Sequence, residues 1–267
     1  MRRVHTILLT VTALGAALLP GIAGVQSAAA ATPCVVTAKT GPNSNCGPYK
    51  TSQITLSNGF NTYVANNGWA CGPNGSDCGP QKLTAYNPSK WWVSSNQARG
   101  NTGVLSYPDV MQLVQLKNGN ARPLTSFSRI HSYYAESMPH NAGTDAEAAY
   151  DLWLDNTTGS NEVMIWVDNV NRGTGGAKWL THHTFFNVRY ALLQYGGPGG
   201  ELIWSRHRNS RNGTIHILSM LRWLVRHHYE SATTSLSQVD FGWEICSTGG
   251  QPETFKVTAY NLRTAHA

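Results

Sequence analysis

Glu162 heads the segment NEVMIWVD, Glu244 sits inside QVDFGWEICSTGG, and Asp151 sits inside AAYDLWLD. Acids flanked by large apolar residues are rarely left buried unless they are paired or used. Each segment has β-strand character, and along a strand alternate side chains face opposite ways. Val163, Ile165 and Val167 then share a core face, and Glu162, Met164, Trp166 and Asp168 the other. The same count sets Tyr150, Leu152 and Leu154 opposite Asp151, Trp153 and Asp155. In the third segment Val239, Phe241, Trp243 and Ile245 oppose Asp240, Gly242, Glu244 and Cys246. Gly242, lacking a side chain, is expected to leave open space beside Glu244. Asp155 and Asp168, at strand ends beside turns, read as solvent-facing. A pair of carboxylates on a face lined with indoles suits hydrolysis of a glycosidic bond. One acid protonates the leaving oxygen, and a second carboxylate attacks or assists at the sugar carbon.

Other chemistries find little support. His182 and His183 are neighbours in a strand and point to opposite faces, His227 and His228 fall at a helix end, and no Cys or His spacing of the structural-zinc type occurs. The runs GTGG and GGPGG lack the Lys-Ser/Thr of a phosphate loop, and no G-x-S-x-G nucleophile elbow is present. Neither a metal nor an organic cofactor is expected. The formal charge is +6, from 20 basic and 14 acidic residues. Nucleic-acid binding usually shows a concentrated basic stripe. The densest basic stretch, RHRNSR from Arg206 to Arg211, reads as a solvated loop, so no nucleic-acid partner is expected.

The elements that must position these acids are strands. From Thr51 onward short alternating runs are separated by Gly, Asn, Pro and Ser, with turn signals at Asn58-Gly59, Asn118-Gly119 and DNTTGSN. They predict an all-β, two-sheet antiparallel sandwich, with AAYDLWLD and NEVMIWVD paired as a hairpin. One stretch breaks the pattern. In NGTIHILSMLRWLVRHHYES, Ile217, Leu221, Leu224, Val225 and His228 recur at helical spacing, which predicts a single outer helix from about Thr214 to Tyr229. The chain opens with Arg2 and Arg3, an apolar run and an alanine cluster ending near Ala31. That is the pattern of a secretory signal peptide, residues 1–31, with cleavage after Ala29, Ala30 or Ala31. Residues 32–267 then form one domain, expected to be a secreted, extracellular monomer with no membrane partner. Of five cysteines, Cys34, Cys46, Cys71 and Cys78 lie early in this exported part, where disulfides are expected. Four cysteines allow three pairings. A Cys71 to Cys78 bridge across CGPNGSDC and a Cys34 to Cys78 bridge are both candidates, and Cys246 reads as a buried free thiol.

Five stretches, in order, resemble glycoside hydrolase family 12, the secreted β-jelly-roll endoglucanases. They are YVANNGW (63–69), SYPDV (106–110), AYDLWL (149–154), EVMIWV (162–167) and GWEICSTGGQPETFKVTAYNL (242–262), with the lone helix before the last. The resemblance implies a concanavalin-like jelly roll and retaining endo-hydrolysis of β-1,4-glucan without a cofactor. It implies Glu162 as nucleophile, Glu244 as general acid/base, and Asp151 as an aspartate supporting the nucleophile. Met164 would line the same spot, while Asn67, Trp69, Trp153 and Trp166 would bind sugar. Retention calls for carboxyl groups about 5 to 5.5 Å apart, and Glu244 for a pKa raised towards ~6. The sequence departs from the family at NRGTGGAKW, where many members carry a Pro-x-Gly loop, and at NVRY, where Asn187 and Tyr190 replace Gly and Trp. Both regions border the cleft in the family, so xyloglucan or mixed-linkage β-glucan competes with cellulose as substrate. A non-catalytic, lectin-like β-glucan binder is the alternative from another class.

Overall fold

The computed structural model describes residues 32–40, 43–50, 60–72, 75–116, 118–155 and 161–267. The stretch read as a signal peptide, the Asn58-Gly59 turn and the centre of DNTTGSN lie outside them. The alternating runs form strands. In chain order these are β1 (Cys34–Val36), β2 (Asn45–Lys50), β3 (Phe60–Ala65), β4 (Gln81–Asn87), β5 (Lys90–Ser95), β6 (Asp109–Leu113), β7 (Arg122–Pro123) and β8 (Phe127–Ser137). Then follow β9 (Thr144–Leu154), β10 (Glu162–Val170), β11 (Lys178–Phe185), β12 (Val188–Gln194), β13 (Leu202–Arg206), β14 (Asn212–Ile215), helix α1 (Ile217–Arg226), β15 (Ser235–Thr248) and β16 (Glu253–His266).

Two sheets result, as a β-jelly-roll sandwich. The smaller runs β1-β4-β5-β16-β8-β14; the larger runs β11-β12-β13-β10-β9-β15-β6-β3-β2, with β7 also on β15. Pairing is antiparallel apart from β10 and β13, which run parallel with Val163 beside Leu202. The faces counted as core do meet between the sheets. Tyr150, Leu152, Leu154, Val163, Ile165, Val167, Val239, Phe241, Trp243 and Ile245 are all fully buried there. Burying side chains of this size contributes about 1.5–3 kcal/mol each, and Trp243 adds an edge contact to Trp91 at 5.0 Å between ring centroids.

α1 is the one α-helix among the described residues and buries Ile217, Leu221 and Leu224 as expected. It is shorter at both ends than the spacing predicts. Thr214 and Ile215 pair with Tyr133 and Ser132 as strand β14, and His228 takes a left-handed φ of 61° that ends the helix. The disulfides are Cys34–Cys46 and Cys71–Cys78; the Cys34–Cys78 candidate is therefore wrong. Cys246 is a buried free thiol.

Two residue-level expectations also fail. β10 carries a bulge: Trp166 stands opposite Ala149, yet Asp168 stands opposite Ala148. One extra residue flips the alternation, so Asp168 leaves the face of Glu162. It is 1% exposed rather than solvent-facing, and its Oδ2 lies 2.8 Å from His140 Nε2. Gly242 does not open space beside Glu244. A Cβ there would run into the Pro108 carbonyl oxygen and lie 2.7 Å from Asp109 Cα, so the glycine exists to let β6 come close. Asp155 is exposed as expected, and receives hydrogen bonds from Ser235 and Asn161.

Candidate active site

β10, β9 and β15 are neighbours in the larger sheet, so their outward residues form one surface. Across it Met164 faces Asp151, Asp151 faces Asp240, and Trp153 faces both Glu162 and Gln238. Glu244 faces Glu147 farther along β9. Above this surface lies a cleft of about 730 Å³ whose wall includes Glu162, Glu244, Asp151, Trp153 and Trp166. Asn67 and Trp69, just beyond β3, complete it. Trp69 is 62% exposed, an open indole face at the rim.

Met164 is the one sequence-predicted site residue that does not reach the cleft. It is buried beneath Trp166, whose Nε1 donates to its Sδ at 3.4 Å, in an apolar layer with Ala149 and Ile203. Trp153 is fixed by a hydrogen bond from its Nε1 to Asp240 Oδ2 at 2.9 Å. Asn67, at φ 30°, directs its Nδ2 to Asp109 Oδ1 at 3.4 Å.

Several wall residues escaped the sequence reading. Glu201 immediately precedes Leu202, the parallel neighbour of Val163, so it lies beside Glu162. A signal existed: ELIWS repeats the pattern of EVMIW, an acid at the head of an apolar strand. Asp240 was on the correct face of β15 without a role. Arg172 had no periodic signal, because it sits in the loop after β10. Its Nη1 donates to the Thr102 carbonyl at 2.6 Å, and its Nε lies 3.1 Å from Glu147 Oε2. The Nε–H does not aim along that contact, so charge rather than a directed hydrogen bond holds the pair. The loop turns through left-handed residues, and Gly175 gives way to Trp166, whose Cη2 would lie 3.1 Å from a Cβ.

Burial governs the electrostatics. It pushes Glu162 up to about 9, helped by the charges of Glu201 and Glu244 and opposed by a hydrogen bond from Asp151. Asp151 is itself held well above the usual carboxylate range by burial, then by the charges of Glu162 and Glu244; it is protonated and donates. Glu147, beside Glu244, is raised first by burial and then by the charge of Glu244, while Arg172 opposes the shift. Burial also raises Glu201 and Asp240, each to about 7. Such closely coupled acids titrate as a set. Among the described residues no three His, Cys, Asp or Glu side chains converge as a metal site.

No protein-family model matches the chain, and no curated protein matches it. Solved structures do. A native family 12 xyloglucanase from Bacillus licheniformis is 20% identical, with a TM-score of 0.63 over 83% of this chain and 99% of that one. Endoglucanase 3 of family 12 from Trichoderma harzianum is 17% identical, with a TM-score of 0.67 over 90% and 100%. The fold is that of family 12 glycoside hydrolases. The xyloglucanase domain of a type three effector from Sinorhizobium fredii, solved with cellobiose, is similar too, at 20% identity and a TM-score of 0.67 over 87% and 99%. On this family 12 fold the NRGTGGAKW loop does border the cleft, through Arg172, Thr174 and Gly175. NVRY does not. Asn187 sits in the turn between β11 and β12, and Tyr190 is buried in the main core, whereas Tyr195 past the end of β12 reaches the cleft.

Proposed function

We propose that this chain is a secreted, retaining glycoside hydrolase that cleaves internal β-1,4 bonds of a glucan backbone. The observation that carries the reading is the convergence of Glu162, Asp151 and Glu244, from three adjacent strands, in one tryptophan-walled cleft. The family 12 fold of the chain supports it.

Glu162, ionised, attacks the anomeric carbon while Glu244 gives its proton to the departing glycosidic oxygen, leaving a glycosyl ester on Glu162. Glu244 then takes a proton from water, which attacks the same carbon and frees Glu162. Protonated Asp151 donates to Glu162 and favours its ionised form. Trp69, Trp153 and Trp166 offer faces for sugar rings, and Asn67 a hydroxyl contact. Two of the similar structures are xyloglucanases, which supports a branched β-glucan as a second reading of the substrate.

Glu162→Ala and Glu244→Ala should each abolish reducing-sugar release from β-glucans while leaving the thermal melt intact. Azide should rescue the Glu162 variant with inversion, and wild type should release the β-anomer first, read by NMR. An α-anomeric first product defeats the assigned roles, and binding without turnover on cellulose, mixed-linkage glucan and xyloglucan would leave a lectin-like binder.

A further inference from the structure

Five of the 14 acidic residues of the chain line the cleft: Asp151, Glu162, Glu201, Asp240 and Glu244. Among the described residues Arg172 is the one lysine or arginine that does, and Glu147 and Asp145 already engage it. The chain as a whole is cationic, so this segregation runs against its composition. Hydrolysis of a neutral glycan uses Glu162, Glu244 and Asp151, which leaves Glu201 without a task and gives Asp240 only the hydrogen bonds that its Oδ2 accepts from Trp153 and Gln238. Moreover, Asp151 and Asp240 are 4% and 3% exposed, and the Oδ1 atom of each has no hydrogen-bond donor although both residues form the cleft wall. Buried carboxylates without a counter-charge are costly. Sugar hydroxyls offer hydrogen bonds but no charge.

The acids are arranged as a row and not as a chelate. Glu162 lies level with Trp153 of β9, Asp240 with Asp151, and Glu244 with Glu147, while no three close on one point. A row of anions fits a polymer with repeated positive charges better than a single metal ion. Taking the glycosidase reading above as its basis, we propose that the cleft is built for a β-1,4-glucan backbone whose rings carry protonated amino groups, with Glu201 and Asp240 as the ammonium-binding acids. Polymers of glucosamine, of the chitosan type, are that chemistry.

The electrostatics of the nucleophile agree with this occupant. Apart from burial, the charge of Glu201 does most to hold Glu162 up. A neutral sugar leaves that repulsion in place, whereas an ammonium ion between the two acids favours the ionised form of Glu162 that attack requires.

The test compares β-1,4 oligomers of glucosamine, N-acetylglucosamine and glucose of equal length, at a pH where the amines are charged. Wild type should cleave the glucosamine oligomer with kcat/KM about 10-fold or more above the glucose oligomer, one desolvated ionic contact being of that order. The advantage should shrink as salt rises, be missing for the uncharged N-acetyl oligomer, and fall by about 10-fold in Glu201→Gln. Cleavage of the glucose oligomer with equal or weaker action on glucosamine overturns this inference and leaves the glycosidase reading standing. Turnover of none of the three sinks the glycosidase reading, and calorimetry on the same oligomers then decides the present one. Tighter, salt-sensitive binding of the glucosamine oligomer supports it, and equal binding overturns it.

Discussion

Asp151 offers a test in which the direction of a pH shift reports which proton sits where. It is enclosed between Met164 and Asp240 in the register of the sheet, and it donates a hydrogen bond to Glu162. A hydrogen bond to a charged group contributes about 1.5–3 kcal/mol, or about one to two pKa units at ~1.36 kcal/mol per unit. Removing the donor in Asp151→Ala therefore raises the pKa of Glu162 further. Because the ionised nucleophile is the active form, kcat/KM rises with pH through that pKa, and its acid limb should move up by about one to two pH units. Asp151→Asn keeps an N–H donor in the same shape, so its limb should stay near that of wild type. The assay is kcat/KM against pH on an aryl β-glycoside whose good leaving group needs no proton from Glu244, which isolates the nucleophile. Were Asp151 ionised in the free protein, its charge would itself raise Glu162, and the Ala variant would move the limb down. A downward or absent shift, or an Asn variant that behaves like Ala, refutes the reasoning.

Two further outcomes concern stability. In Gly242→Ala the new Cβ meets backbone atoms of Pro108 and Asp109 that cannot rotate away, so β15 and β6 must part. Overpacking of this kind costs about 1–3 kcal/mol, a fall in Tm of about 2–4 °C per kcal/mol at this chain length; an unchanged melt would disprove the close approach. The pH dependence of stability follows from acids raised by burial. Glu201 and Asp240 stand at about 7, Glu136 at about 8 and Glu162 at about 9. Their folded values exceed the unfolded ones, so the native state holds the extra protons. The stability they contribute is fully present below about 4 and is lost as pH rises through the folded values. His131, His183 and His216, lowered first by burial, pull the other way below about 6.5. Tm measured by circular dichroism should peak at mildly acidic pH and drop towards about 8, and a Tm that climbs over that interval contradicts the assignment.

The parts of this site that could be read from the sequence are those where period two holds unbroken. In β9 and in the Asp240–Glu244 part of β15 the alternation runs cleanly, so the core faces and the cleft faces fall where the count puts them. In β10 it holds as far as Trp166 and then fails at the bulge. No residue type announces that extra position, and Asp168 is carried to the opposite face. Gly242 misled for a related reason. A missing side chain reads equally as empty space or as room for another backbone, and only the tertiary neighbour β6 decides. Arg172 could not be found because loop residues have no period, and α1 was overextended because Thr214 and Ile215 were drawn into pairing with β8. Glu201 was within reach: its strand repeats the acid-then-apolar pattern of Glu162, and parallel pairing sets the two side by side.

The two proposed catalytic glutamates share one local design. Each stands beside a buried acid on β9 that is held above the usual carboxylate range, Asp151 for Glu162 and Glu147 for Glu244. Because β9 lies between β10 and β15, a single strand supplies both supports. A cleft packed with acids favours protonation of every member, and the supporting acids take up those protons. At Glu162 this converts like-charge repulsion into a directed hydrogen bond from Asp151. The arrangement costs stability at neutral pH, where each retained proton reflects a carboxylate denied solvent. Arg172 limits that cost beside Glu147 and, through its charge, at Glu201. Among the described residues no second lysine or arginine lines the cleft beside Glu162, Asp151 and Asp240. The missing positive charge has to come from the ligand or from protons, and the choice between them is what separates a glucosamine polymer from a neutral glucan.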